Sequence, residues 1–245
     1  MKKKAIDVYE YNLPKKKQPV FACFKGVVRV FLKKVKVVVL GEPIKEPTLF
    51  LANHANKMGP FVYETFMPSY TVKWGAHEML GGYNERRKYL RDILYIKKNK
   101  TNKFFASIKS AFEAIFSGAV YKGMKFIGTY KDAGALRTVK KTCKVLDNDI
   151  SVMVFPEDSD NGYFDEMEKF SPGFVPVAEH MLTKKGKDIC VRPVYYHKKK
   201  SLIVVGKEYF FSQFKQMKMT RNEIAEFFKD RVNELYFAIE SGEIC

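Results

Sequence analysis

Apolar positions along this chain follow two rhythms: three- and four-residue steps, which mark helices, and short unbroken runs, which mark buried strands. Phe21, Phe24, Val28, Phe31 and Leu32 recur at helical spacing with basic residues largely between them, which predicts an amphipathic helix from Pro19 to about Lys34. Val35 to Leu40 predicts a strand ended by the turn Gly41-Glu42-Pro43, and Pro47 to Asn53 predicts a short buried strand. Pro60 suits the first turn of a helix reaching about Phe66, and Val72 to Gly75 predicts a brief strand before the Gly81-Gly82 break. Residues 83–100 are polar and strongly basic, a helix with a loop. Asn102 to Tyr121 carries the clearest helical stripe: Phe105, Ile108, Phe112, Ile115, Phe116 and Ala119. Such a stripe is expected to be core in preference to membrane contact.

Further along, Lys125 to Thr129 predicts a strand, Ala133 to Leu146 a helix, Ile150 to Phe155 an apolar strand and Gly173 to Lys185 a helix. Ile189 to Tyr196 and Ser201 to Val205 predict an antiparallel hairpin about His197-Lys-Lys-Lys200, where solvated charge is the expected role of His197. Thr220 to Glu234 predicts a last helix, capped by Thr220 with Glu223 completing a capping box. Strands alternating with helices give an α/β fold: one domain with a mixed, mostly parallel β-sheet flanked by helices, plus an N-terminal amphipathic helix. A basic segment, 1–42, precedes a domain spanning 43–245.

Composition narrows the partners. At 46% hydrophobic residues the 245-residue chain is not globally disordered, and 44 Lys+Arg against 27 Asp+Glu leave a net charge of +17. Residues 1–42 hold eleven basic and three acidic side chains, nearly half of that excess. Nucleic acid, anionic lipid headgroups and phosphorylated substrates could each match it. Tyr83, Tyr89 and Tyr95 among basic neighbours could stack on bases, yet no RRM, KH or helix-turn-helix pattern appears, so nucleic acid is not the expected partner. The window Val20 to Leu40 is broken by Lys25, Arg29, Lys33, Lys34 and Lys36, and no secretory h-region follows Met1-Lys2-Lys3-Lys4. The expectation is a cytoplasmic protein, peripheral on the cytosolic face of an anionic membrane. Cys23, Cys143, Cys190 and Cys245 are widely spaced without ligand partners and read as free thiols, with no metal expected. Without GxGxxG or GxxxxGK[ST], no nucleotide cofactor is expected either.

Two segments carry candidate chemistry. His54 follows an apolar strand directly and precedes a proline-started helix, and in α/β sheets catalytic groups gather at carboxyl ends of strands. A nearby helix N-terminus favours the neutral imidazole that a general base requires. The second is Val152-Met-Val-Phe-Pro-Glu-Asp-Ser-Asp-Asn-Gly162, which sets Glu157 at another strand end with Asp158 and Asp160 close behind.

Asn53-His54, Phe126-Ile-Gly-Thr-Tyr-Lys131, Val154-Phe-Pro-Glu157, Phe170-Ser-Pro-Gly-Phe174 and Val191-Arg-Pro-Val194 occur in the order found in the lysophospholipid acyltransferase family, which residues 48–205 resemble. The resemblance implies acyl transfer from acyl-CoA or acyl-carrier protein to a lysophospholipid or glycerol-phosphate hydroxyl, with an acyltransferase-like domain at 43–245. It implies His54 as general base and Glu157 as the residue holding the acceptor, and it puts Lys131 where the family has an arginine for the acceptor phosphate. Arg137, Asn53, Pro156, Ser159 and Gly173 complete the substrate-binding residues it suggests. The family's HxxxxD pattern calls for aspartate where this chain has Gly59, with Met58 before it, and Asp158-Ser-Asp-Asn161 replaces the family's Gly-Thr-Arg-Ser. Either Asp158 or Asp160 supplies the missing carboxylate from elsewhere in the chain, or the protein binds lipid or anionic membrane without turnover.

Overall fold

A computed structural model describes residues 13, 19–31, 34–56, 58–130, 134–157 and 162–245. Its strands are β1 (Lys36–Val39), β2 (Thr48–Ala52), β3 (Thr71–Ala76), β4 (Ile127–Thr129), β5 (Ser151–Val154), β6 (Cys190–His197), β7 (Leu202–Val205) and β8 (Tyr209–Phe210). They form a single sheet in the order β1-β7-β6-β2-β5-β3-β4, with β8 added on β6. Pairing is parallel except where β6 meets β7 and β8. The fold is thus the mixed, mostly parallel α/β sheet expected from the sequence. Because β1 pairs with β7, the last part of the basic segment 1–42 is built into this sheet.

Both faces of the sheet are covered, which is why its central strands are unbroken apolar runs. Leu49 and Leu51 of β2 and Val152 and Val154 of β5 face a core shared with helices α5 (Ala135–Asp147), α6 (Val175–Lys185) and α8 (Arg221–Glu240). The alternate residues Phe50, Ala52 and Met153 face a smaller core with Val62 and Tyr63 of α2 (Gly59–Phe66). Helix α1 (Pro19–Phe31) is fastened to α2, since Lys25 Nζ lies 2.9 Å from Glu64 Oε1 and the Arg29 guanidinium stacks over Phe66. Glu64 also neutralises Lys73, a fully buried lysine of β3. No helix among the described residues is long and apolar enough to cross a membrane.

Several local expectations are corrected. Helix α4 (Lys103–Met124) exists, but its phenylalanine stripe is not core: Phe105, Ile108, Phe112, Ile115, Phe116 and Ala119 are exposed. The packed face is instead Ala106, Ser110, Ala114, Ser117 and Gly118. These small residues let α4 approach α3 (Tyr83–Tyr89) and the π-helix Leu90–Lys98 that continues it, and Arg86 donates to the Ala114 carbonyl. Periodicity identifies a face but not which side of the helix meets protein. Tyr95 is buried with its hydroxyl donating to Glu113, so it offers no stacking surface. His197 is buried as well, its Nε2 2.7 Å from Glu240 Oε1. The short β8 and α7 (Phe211–Gln216) went unforeseen, being too brief to show a period.

Candidate active site

The parallel pairing of β2 with β5 aligns Leu51 with Val154. Continued three residues past that pair, the register sets His54 beside Glu157 at the carboxyl edge of the sheet. The two meet: the His54 backbone N–H donates to Glu157 Oε2 at 2.8 Å. The segment after β5 is stitched back by an antiparallel bridge between Glu157 and Phe170, and by the Ser171 N–H donating to the Pro156 carbonyl at 2.7 Å. Glu157 Oε1 is buried and has no hydrogen-bond partner among the described residues.

The turn after β2 is tight. Ala55 adopts a left-handed φ of 56°, the Asn56 N–H donates to the His54 carbonyl at 2.6 Å, and the Gly59 N–H donates to the Asn56 carbonyl at 3.0 Å. This curl brings the Asn56 carbonyl oxygen to 2.7 Å from His54 Nδ1. A carbonyl oxygen only accepts, so Nδ1 carries the hydrogen and Nε2 keeps its lone pair. The tautomer that leaves Nε2 free to take a proton is therefore selected here by a backbone carbonyl. Gly59 is required by the same curl, since a Cβ there would lie 1.9 Å from the His54 carbonyl oxygen.

Tyr163 stacks on the His54 ring at 4.8 Å between centroids, and the Lys98 ammonium lies 5.5 Å from the Tyr163 centroid. Lys98 ends the nine-residue π-helix. Such irregular turns are rare and gather at functional sites. Burial pushes the His54 imidazole down to about 4, with the positive charge of Lys98 lowering it further and the Asn56 carbonyl opposing. Burial pushes the Glu157 carboxyl up to about 7, against the pull of the His54 N–H and Lys98. Each group is thus neutral over part of the range where it would ordinarily be charged.

The Glu157 shift makes a stability prediction. The folded protein holds that proton more tightly than the unfolded chain, whose carboxyl titrates near 4.5. The stabilisation is complete below the unfolded value and is lost as pH rises through about 7. Glu157→Gln, neutral throughout, should show no such decline, the difference reaching up to roughly 3 kcal/mol in urea unfolding across that window. Parallel stability curves for parent and variant would contradict it.

A cavity of about 260 Å³ adjoins His54 and Tyr163 and runs between Met58, Phe61, Leu90, Phe116, Val120 and Phe126. It is mostly apolar and falls just below the usual size of ligand cavities, about 300–1,000 Å³. The structure brings His54 and Glu157 together, with Pro156 buried behind them and the Ser171–Gly173 stretch alongside. Asn53 is committed elsewhere: Oδ1 accepts from the Tyr63 hydroxyl at 2.7 Å and the Tyr196 N–H at 2.8 Å, and Nδ2 donates to the Tyr196 carbonyl at 3.2 Å. It fastens β2 to β6 and α2. Arg137 is exposed in the first turn of α5, and Gly173 is exposed in the turn before α6. Lys131, Asp158, Ser159 and Asp160 lie outside the described residues. Tyr163 and Lys98 were missed. No spacing rule links them to His54, although Lys98 stood in the basic stretch noted at 83–100.

Fold and site together define an α/β protein with a neutral histidine and a raised carboxyl group at the carboxyl edge of parallel strands. No family model and no curated protein sequence matches the chain. Among solved structures it is similar to the crystal structure of the 1-acyl-sn-glycerophosphate (LPA) acyltransferase PlsC from Thermotoga maritima, at 14% identity and a TM-score of 0.47, over 88% of this chain and 87% of that one.

Proposed function

We propose that the protein is an acyltransferase that moves an acyl group from a thioester, acyl-CoA or acyl-carrier protein, to the hydroxyl of a lysophospholipid or glycerol-phosphate. The observation that carries this reading is His54, with Nδ1 held by the Asn56 carbonyl, standing beside Glu157 at the end of an apolar cavity. The ordered motifs of residues 48–205 support the same chemistry.

In this mechanism Nε2 of His54 takes the proton of the acceptor hydroxyl as its oxygen attacks the thioester carbonyl. The tetrahedral intermediate then expels the thiolate, which recovers the proton from the imidazolium. Glu157 Oε1, lacking a partner among the described residues, accepts or donates to a second polar group of the acceptor. The acyl chain lies in the apolar cavity. Lys98 receives the acceptor phosphate. Because the Lys98 charge depresses the His54 imidazole, an anion arriving there offsets that charge and raises the basicity of the histidine. Lys98→Gln should raise KM for a phosphorylated acceptor about tenfold to a hundredfold, the range of a charge-assisted contact, with a smaller effect on an uncharged one. Equal effects on both acceptors would remove Lys98 from this role.

The protein would act as a peripheral protein at the cytosolic face of an anionic membrane, a reading supported by the charge of residues 1–42 and worth about 1 kcal/mol per basic side chain near such a surface. The direct test is incubation of the purified protein with labelled acyl-CoA and a panel of lysophospholipids. Formation of the diacyl product supports transfer. No product with any acceptor, while the protein still binds vesicles, favours lipid binding without turnover; a backbone carbonyl in place of a carboxylate beside His54 is the observation that would explain it.

A further inference from the structure

We propose that the exposed aromatic face of α4 is the surface by which the protein seats on an anionic lipid bilayer. This deepens the membrane association proposed above, and rests on it, by naming the docking surface. Phe104, Phe105, Phe112, Ile115 and Phe116 are 68%, 58%, 64%, 59% and 69% exposed. At 100° per residue they share one side of the helix with Ile108 and Ala119, while the opposite, small-residue side packs on the domain. A helix with its bulky apolar side turned away from its own protein presents its apolar surface to something else.

Charge selects the occupant. Lys97, Lys98, Lys100, Lys103 and Lys109 fall within thirteen residues without one acidic side chain, and Lys122 and Lys125 close the other end of the helix. On the helical wheel Lys109 and Lys122 border the aromatic arc on its two sides. An apolar strip rimmed by cations matches the boundary between anionic headgroups and acyl chains. A second copy of this chain would bring the same positive rim against it and be repelled. The face is also continuous with the candidate site, since Phe116 is both exposed on it and a wall of the cavity. Helix α1 extends the surface: Phe21 lies against Gly123 of α4, and Arg29 and Val30 remain exposed.

The test is flotation with vesicles of phosphatidylcholine, with and without phosphatidylserine, for the parent, for Phe105→Ser with Phe112→Ser, and for Lys15, Lys16 and Lys17→Gln. The parent is expected to float with the acidic vesicles, and the double serine variant to partition about tenfold more weakly or worse, with an unchanged unfolding midpoint because both side chains are exposed. Neither residue lines the cavity, so transfer to a monomeric, water-soluble acceptor stays at the parent rate. If the parent floats and the serine variant floats equally, the α4 face is overturned. Should only the lysine variant then lose binding, membrane association survives through residues 1–42. A parent that ignores vesicles ends both readings, and a parent dimer that the serine variant splits into monomers overturns the α4 face.

Discussion

Replacing His54 with alanine should lower the rate of acyl transfer by about a thousandfold, within the 10²–10⁴ that positioned general bases contribute, while changing substrate affinity little. The expectation follows from the hydrogen-bond pattern. Nδ1 is committed to the Asn56 carbonyl and the half-buried ring lines the cavity, so Nε2 is the basic atom left for a hydroxyl. The ring stacks on Tyr163 and meets Phe155 at a tilt but is held to the backbone mainly through its own turn, so its loss should cost only a modest part of the stability. Steady-state kinetics on parent and variant, with unfolding midpoints measured alongside, decide the matter. A His54→Ala protein that turns over at the parent rate would remove the imidazole from the reaction.

The pH profile refines the same expectation. An ordinary histidine base loses activity below about pH 6.5. With the imidazole pushed down to about 4, His54 stays neutral well below that, and the acidic fall in rate should move with it. The change near pH 7 would instead report the Glu157 carboxyl.

Strands of the sheet were legible because burial on both faces writes them as unbroken apolar runs: Leu49–Ala52 and Val152–Val154 alternate between two cores yet admit no polar residue. Capping chemistry was equally direct, Thr220 and Glu223 forming the reciprocal cap at the start of α8. What the pattern could not convey was the sidedness of α4. Its strongest hydrophobic signal belongs to the face turned away from the domain, because close approach to the π-helix demands small residues, and Ala106, Ser110, Ala114 and Ser117 provide them. A reading that equates the apolar side with the inside fails wherever the outside is apolar too.

At the site, His54 and Glu157 were found because each sits directly after an apolar strand, and strand ends converge in a parallel sheet. Sequence patterns place the group that orients His54 among side chains, at positions 58 and 59 or at Asp158 and Asp160. Instead, a main-chain carbonyl two residues on occupies Nδ1, a contact set by the left-handed turn at Ala55. No residue type announces such a contact. Tyr163 and Lys98 reach His54 through tertiary packing across more than forty residues, which a single sequence cannot reveal.

Introducing the aspartate that the sequence resemblance calls for should therefore fail. Gly59→Asp is expected to destabilise the protein by about 3 kcal/mol or more, at or above the upper range for overpacking, and to yield no gain in transfer. A Cβ at position 59 would stand 1.9 Å from the His54 carbonyl oxygen and 3.0 Å from its carbonyl carbon, both main-chain atoms that cannot swing aside. Relief requires moving either the first turn of α2 or the turn that aims His54, and the second movement breaks the Nδ1 contact with Asn56. Gly59→Ala should share most of the loss, because the collision is with the first side-chain carbon and not with the carboxylate. Met58→Asp makes the contrast: Met58 is exposed at the N-cap of α2 without a side-chain cap, so an aspartate there should add about 1 kcal/mol of stability. It should bring no gain in transfer, since Nδ1 already has its partner, and because Met58 lines the cavity a carboxylate there should lower the rate with a long acyl chain. Urea unfolding of the three variants beside their transfer rates tests the whole set. A Gly59→Asp protein as stable as the parent and faster would mean that the loop accepts a side chain and that the Asn56 carbonyl does not orient the base.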